Sequence, residues 1–190
     1  MFWYTSKLYD IRRNATVVSI LCLTAVVASS CNSASNSVHQ STGIEFDIPS
    51  FFRNEIELLN STKPKVTKVV KKDSISETKQ LIIADWQKEL ANFTSIDLNK
   101  AAYRGAYQKD SIGNTVTYSF TDSALDLSSV KIVYHNGVPS IFTINKVTKN
   151  LLYNTEENLE YIKGESYTID KIQAVKTLGS HHYQIKGTIE

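Results

Sequence analysis

A run of fourteen uncharged residues, Ala15 to Ala28 (ATVVSILCLTAVVA), leads up to the cysteine at position 31 and decides which part of this chain is left to fold. Ahead of it, Lys7, Arg12 and Arg13 stand against one acid, Asp10. A basic stretch, an apolar stretch and then the small residues Ala28, Ser29 and Ser30 come in the order of an export leader. As a helix the apolar run rises only about 21 Å, short of the roughly 30 Å hydrocarbon core, which favours a cleaved leader over a permanent span. Arg12-Arg13 lacks the hydrophobic pair that a twin-arginine signal places after its arginines. The folded part must therefore be built from residue 31 onward.

Ala28-Ser29-Ser30-Cys31 resembles a lipobox, where lipoprotein signal peptidase cuts before a cysteine whose thiol carries diacylglycerol. Ala28 stands where many lipoboxes have Leu, a relaxation that resembles lipoproteins of the Bacteroidetes type. The resemblance implies lipidation of Cys31, with covalent diacylglycerol and an N-acyl lipid such as palmitate, and no other cofactor. Ordinary signal peptidase would instead release a soluble protein with a free thiol. Cys22 falls in the discarded segment, so that thiol would stand alone in an oxidising compartment. Asn32 is not the Asp that commonly retains lipoproteins in the inner membrane, and no acidic run of the kind linked to surface display follows Cys31. The resemblance thus implies the cell envelope, with a lipid anchor in the outer membrane on its periplasmic face.

Removing residues 1–30 takes three basic groups and one acid from totals of 21 and 19, which leaves 18 of each. A mature chain that is neutral overall gives no support for nucleic acid as a partner or for a polybasic lipid-binding face. Roughly 160 residues remain, enough for one domain with a sizeable core and too few for two. Without a second cysteine, packing and sheet hydrogen bonds must hold that domain together. Asn32 to Gly43 (NSASNSVHQSTG) reads as a flexible tether that reaches about 40 Å at full extension. The expected divisions are residues 1–30 as lipoprotein signal peptide, 31–44 as lipidated cysteine and tether, and 45–190 as a single globular α+β domain. His39, alone in the tether, lacks the further ligands that a metal site needs.

The domain is expected to open at about Phe46. Asp47, followed by Ile48 and Pro49, reads as a helix start, and Ile48, Phe52, Ile56 and Leu59 recur at helical spacing to about Asn60. A second amphipathic helix is expected after Asp85, with Trp86, Leu90 and Phe93 on one face. Between them, residues 65–71 and 77–83 flank KDSIS as a hairpin. Later, Val116, Tyr118 and Phe120 alternate with polar residues, as do Val130, Ile132 and Tyr134. Asn136-Gly137 supplies a tight I′ turn into Ile141, Thr143 and Asn145, with Pro139 marking an edge or a bulge. Segments 150–154, 158–163, 166–174 and 182–189 complete a meander. The fold class expected is α+β, a large curved antiparallel β-sheet packed against two helices from the N-terminal half. Phe52, Ile56, Trp86, Leu90 and Phe93 should be buried against a sheet face that includes Tyr118, Ile132, Ile141 and Ile185.

No GxSxG, HExxH, CxxC, Walker-type loop or dinucleotide fingerprint occurs, and the seven glycines are dispersed, so no catalytic residue and no metal ligand is assigned. His181-His182 is a tempting pair, but neighbours on a strand point to opposite faces and cannot share one metal without a bulge. AAYRGAYQ reads as a strand with Tyr103, Gly105 and Tyr107 on one face and Arg104 on the other. Tyr103, Arg104 and Tyr107 are the candidate ligand- or partner-binding residues, with cover for the helices as the alternative role of the tyrosines. Trp86 is expected in the core.

FDIPSFF, ADWQKEL, YRGAY, LLYNTEENLEY and HHYQIKGTI, together with the leader, resemble a family of small uncharacterised bacterial lipoproteins. The resemblance covers most of the mature chain and brings no assigned activity. The expected architecture is also similar to the open half-barrels that carry lipoproteins across the periplasm, a likeness of fold that does not establish function. The leading expectation is an accessory or protein-interaction module that meets an envelope protein. The alternative is a carrier for an apolar, lipid-like ligand, which needs a dry cavity of roughly 300 Å³ or more under the helices. An enzyme has no motif in its favour, although catalytic groups scattered in sequence can converge in space.

Overall fold

The computed structural model describes residues 43–190; the leader, Cys31, His39 and the tether up to residue 42 lie outside the described residues. Nine strands come after a first helix: β1 (Lys65–Lys72), β2 (Ile75–Ile82), β3 (Tyr107–Ile112), β4 (Thr115–Phe120), β5 (Leu127–His135), β6 (Val138–Lys149), β7 (Tyr153–Ile162), β8 (Ser166–Val175) and β9 (Gly179–Ile189). They form one antiparallel sheet in the order β2-β1-β9-β8-β7-β6-β5-β4-β3. From β3 to β9 each strand pairs with the next in sequence, as a meander does. The β1–β2 hairpin joins at the far side, where β1 pairs with β9 from Val66↔Ile189 to Lys72↔Tyr183. β2 and β3 are the two edges, so the sheet is open.

The helix α1 (Ile48–Thr62) starts where Asp47 accepts the Ser50 N–H at 2.9 Å. It ends at Lys63, whose left-handed backbone lets its N–H reach the Leu59 carbonyl. Its buried stripe is Ile48, Phe52, Glu55, Ile56 and Leu59. The second helical segment is not continuous. It divides at Leu90 into two single turns, α2 (Trp86–Glu89) and α3 (Ala91–Thr94). Thr94 and Ser95 turn their hydroxyls onto the Ala91 and Asn92 carbonyls, the local bonding by which such residues compete with regular helix. The facing is nevertheless as expected, and Trp86, Leu90 and Phe93 are fully buried.

All of this helical layer lies on one face of the sheet. Phe52 stands at its centre, stacked on Phe93 at 5.0 Å and packed against Phe142 at 5.2 Å and Tyr161 at 5.0 Å. Trp86 meets Tyr167 edge-on. Tyr118, Val130, Ile132, Ile144 and Leu159 complete the floor, and Ile185 is half-buried against it. The opposite face presents polar side chains, including Asn145, which donates to Ser129 at 2.7 Å.

Several expectations need correction. Ile141 lies on the open face and Phe142 on the floor. Counting back from the Asn136-Gly137 turn, whose residues both have positive φ, would pair Ile132 with Ile141. A bulge at Ser140 shifts the register by one, so Ile132 faces Phe142, and Pro139 sits beside that bulge in an interior strand. AAYRGAYQ is not a strand: Ala101–Tyr103 is a 3₁₀ turn, Gly105 has φ 72°, and only Tyr107 begins β3. Segments 150–154 and 158–163 are one strand, with Leu151 and Leu152 in the turn before it.

Candidate functional site

Three carboxylates, Glu45 just before α1, Glu55 on α1 and Glu89 at the end of α2, meet the sheet, and each is held by tyrosine hydroxyl and lysine together. Glu45 accepts from Tyr107 at 2.8 Å, Tyr118 at 3.0 Å and Lys109 at 2.6 Å. Glu55 accepts from Tyr161 at 2.9 Å and pairs with Lys163 at 3.0 Å. Glu89 accepts from Tyr167 at 2.6 Å and pairs with Lys68 at 2.7 Å. Glu45 and Glu55 are themselves buried. A buried carboxylate is costly unless paired and hydrogen-bonded, and here both conditions are met. Burial, and then the neighbouring carboxylate, pushes the Tyr118, Tyr161 and Tyr167 hydroxyls well above the usual phenol range. They stay protonated and act as donors. These clusters fasten one layer to the other.

None of these carboxylates was singled out in the sequence, though two signals were present. Glu55 falls on the apolar stripe of α1, one position before Ile56. Tyr107 with Lys109, and Tyr161 with Lys163, are spaced by two, the interval that puts both on one face of a strand.

The candidate residues fare differently. Tyr103 is buried and donates to Asp126 at 3.0 Å, and burial followed by this contact raises its pKa to about 12. Tyr107 is half-buried on Glu45. Arg104 is exposed and makes no ion pair among the described residues. The three do not form a flat aromatic platform. Instead, Arg104 and Tyr107 line an open cleft of about 960 Å³ with Gly43, Asp47, Arg53 and Asp97. Arg53 and Arg104 are the two arginines among the described residues, and both border this cleft. Arg53 is engaged with Ser50, which bonds Asp47 in turn. The cleft therefore offers one free guanidinium beside carboxylates already occupied by their own backbone or side-chain donors.

His181 and His182 turn to separate carboxylates. His181 Nδ1 lies 3.0 Å from Asp73, and His182 Nε2 lies 3.0 Å from Asp170, which also accepts from Gln184. Asp73 takes the His182 backbone N–H as well, and these bonds hold its carboxyl below the usual range. No group of side chains suited to a metal ion occurs among the described residues.

Compared with protein-family models, curated proteins and solved structures, the chain matches none.

Proposed function

We propose that this protein is a lipoprotein anchored through Cys31 to the periplasmic face of the outer membrane, where its folded part serves as an accessory, protein-interaction module of the envelope. The observation that carries this reading is the filled interior. Phe52, Phe93, Phe142 and Tyr161 occupy the space between α1 and the sheet at ring separations of 5.0 to 6.0 Å. A carrier of an apolar ligand needs that space empty. The clefts described are open, and none is walled by those four side chains. Helices tied down by Tyr, Glu and Lys also oppose the opening that a lipid-like cargo would require. The cleft bordered by Arg104 and Tyr107, at the root of the tether, is the surface we assign to an envelope protein partner.

A fluorescent fatty-acid analogue tests the choice. Titrated against the mature chain carrying Cys31→Ser, it should show no saturable uptake. One-to-one binding at micromolar concentration, weakened by Ile144→Phe on the sheet floor, would establish the carrier instead. A photo-crosslinker placed at Arg104 should trap one envelope protein, and Arg104→Glu should abolish the same product formed from a neighbouring position.

A further inference from the structure

Two neighbouring hairpins project from one end of the sheet and carry apolar residues into solvent. The β6–β7 turn presents Leu151 and Leu152, 84% and 72% exposed, and the β8–β9 turn presents Leu178, 76% exposed. The turns lie side by side, since the Lys176 N–H reaches the Leu152 carbonyl at 3.2 Å. Their paired strands run on past those on either side, with the β4–β5 loop alongside β6, where the Asp126 carbonyl accepts the Val147 N–H at 2.9 Å. The last β5–β6 pair is Leu127↔Lys146, whereas β6 and β7 remain paired to Lys149↔Asn154, about 10 Å further at the usual rise. On the other flank the last β1–β9 pair is Lys72↔Tyr183, whereas β8 and β9 remain paired to Val175↔Gly179, about 13 Å further.

Within the two hairpins themselves the charge is one-sided, although Asp122 of the β4–β5 loop lines a cleft with Lys149 and Asp73 meets His181. No Asp or Glu occurs from Lys146 to Tyr153 or from Lys171 to Tyr183. Lys149 and Lys176 flank the leucines, are exposed, and make no ion pair among the described residues. The overall neutrality of the mature chain conceals this local arrangement. Gly43, where the described residues begin, lies at the same end. Gly43 and Ile44 share a cleft with Arg104, Gly105 and Tyr107, and Tyr107 pairs with Phe120, the last residue of β4, at the end where the tip projects.

We propose that the paired tip is a membrane-docking element, with Leu151, Leu152 and Leu178 entering the headgroup region of an anionic bilayer while Lys149 and Lys176 meet lipid phosphates. Apolar side chains ringed by lysine complement such a surface in both polarity and charge. A projection of about 10 Å matches the depth at which interfacial elements sit. The inference goes beyond the anchor, because the tip needs no acyl chain to bind. With Cys31 acylated, residues 32–43 would hold Gly43 within about 40 Å of the same membrane, at the tip's end of the sheet, so weak contact would be enough.

The test uses the mature chain with Cys31→Ser, which cannot be acylated, and vesicles of phosphatidylethanolamine with phosphatidylglycerol. It should co-sediment with these and not with pure phosphatidylcholine. Leu151→Ser should weaken binding about tenfold, and Lys149→Gln with Lys176→Gln severalfold, with salt mimicking the lysine changes. Leu151→Trp should shift its fluorescence to the blue on adding vesicles. Wild type that ignores anionic vesicles, or a Leu151→Ser, Leu178→Ser chain that binds as wild type, overturns the proposal. Leucine-dependent self-association without binding to vesicles overturns it in favour of a contact between copies. An unmodified mature N-terminus in the wild-type protein would remove the anchor and leave the vesicle result unaffected.

Discussion

The ring of Tyr167 occupies the space that a β-carbon would fill at Gly187, the residue paired with it on the neighbouring strand. Gly187 in turn pairs with Lys68 on β1. By lying across a residue without a side chain, Tyr167 reaches over β9 and shares Glu89 with Lys68.

That relationship predicts a specific cost. Gly187→Ala should destabilise the protein by about 1–3 kcal/mol, because the new methyl group meets the ring. Combining it with Tyr167→Ala should cost less than the sum of the single changes. Urea unfolding of the four chains measures the coupling, and simple additivity would show that the ring and Gly187 do not depend on one another.

Tyr161→Phe keeps the ring that packs on Phe52 and removes only the donor to buried Glu55. The expected loss is about 1–3 kcal/mol. Glu55→Gln should be milder than Glu55→Ala, since the amide can still accept from Tyr161. A chemical denaturation series decides this, and equal stability of Tyr161→Phe and wild type would show that Lys163 alone satisfies the carboxylate.

Alkaline pH should loosen the structure. Tyr103, at about 12, and Tyr118, Tyr161 and Tyr167 all titrate above their unfolded values because burial disfavours the phenolate. Above about pH 10 the unfolded chain therefore holds fewer protons than the native one, and stability falls as pH rises. Their contribution is complete below about pH 10 and disappears as pH climbs through the folded values. Absorbance at the phenolate band, followed with circular dichroism, should show these tyrosines ionising together with unfolding. Early ionisation without loss of structure would contradict their burial.

Cys31→Ser should leave the protein unprocessed or soluble in the periplasm, whereas wild type should partition with membranes into detergent. Fractionation and mass spectrometry of the mature N-terminus measure it.

Where pattern and packing agree, the fold was readable. The α1 stripe, the Asp47 cap, the Asn136-Gly137 turn and the alternation in β4 and β5 all appear as the spacing suggests. The Ile141 error has one cause, since a single extra residue at Ser140 reverses the facing of the strand beyond it. β3 escaped notice because its outward residues are polar, as befits an edge, although the Gly113-Asn114 step was a hairpin signal. Residues 103–107 do not form the strand that their alternation suggests, because the 3₁₀ turn and Gly105 interrupt it. The buried carboxylates depend on Tyr–Glu contacts spanning up to 106 positions, which local spacing does not reveal.

The pairing of β1 with β9 also governs when this molecule can fold. Val66 meets Ile189, so the first hairpin and the last strand belong to one ladder, and a chain still lacking residues 179–189 offers β1 no partner on that side. Closing so long a loop is slow, because chain entropy is lost before the contacts form. An exported polypeptide must thread through its translocon extended. If this chain is exported as proposed, its own topology supplies the delay, because that seam stays open until residues 179–189 have crossed.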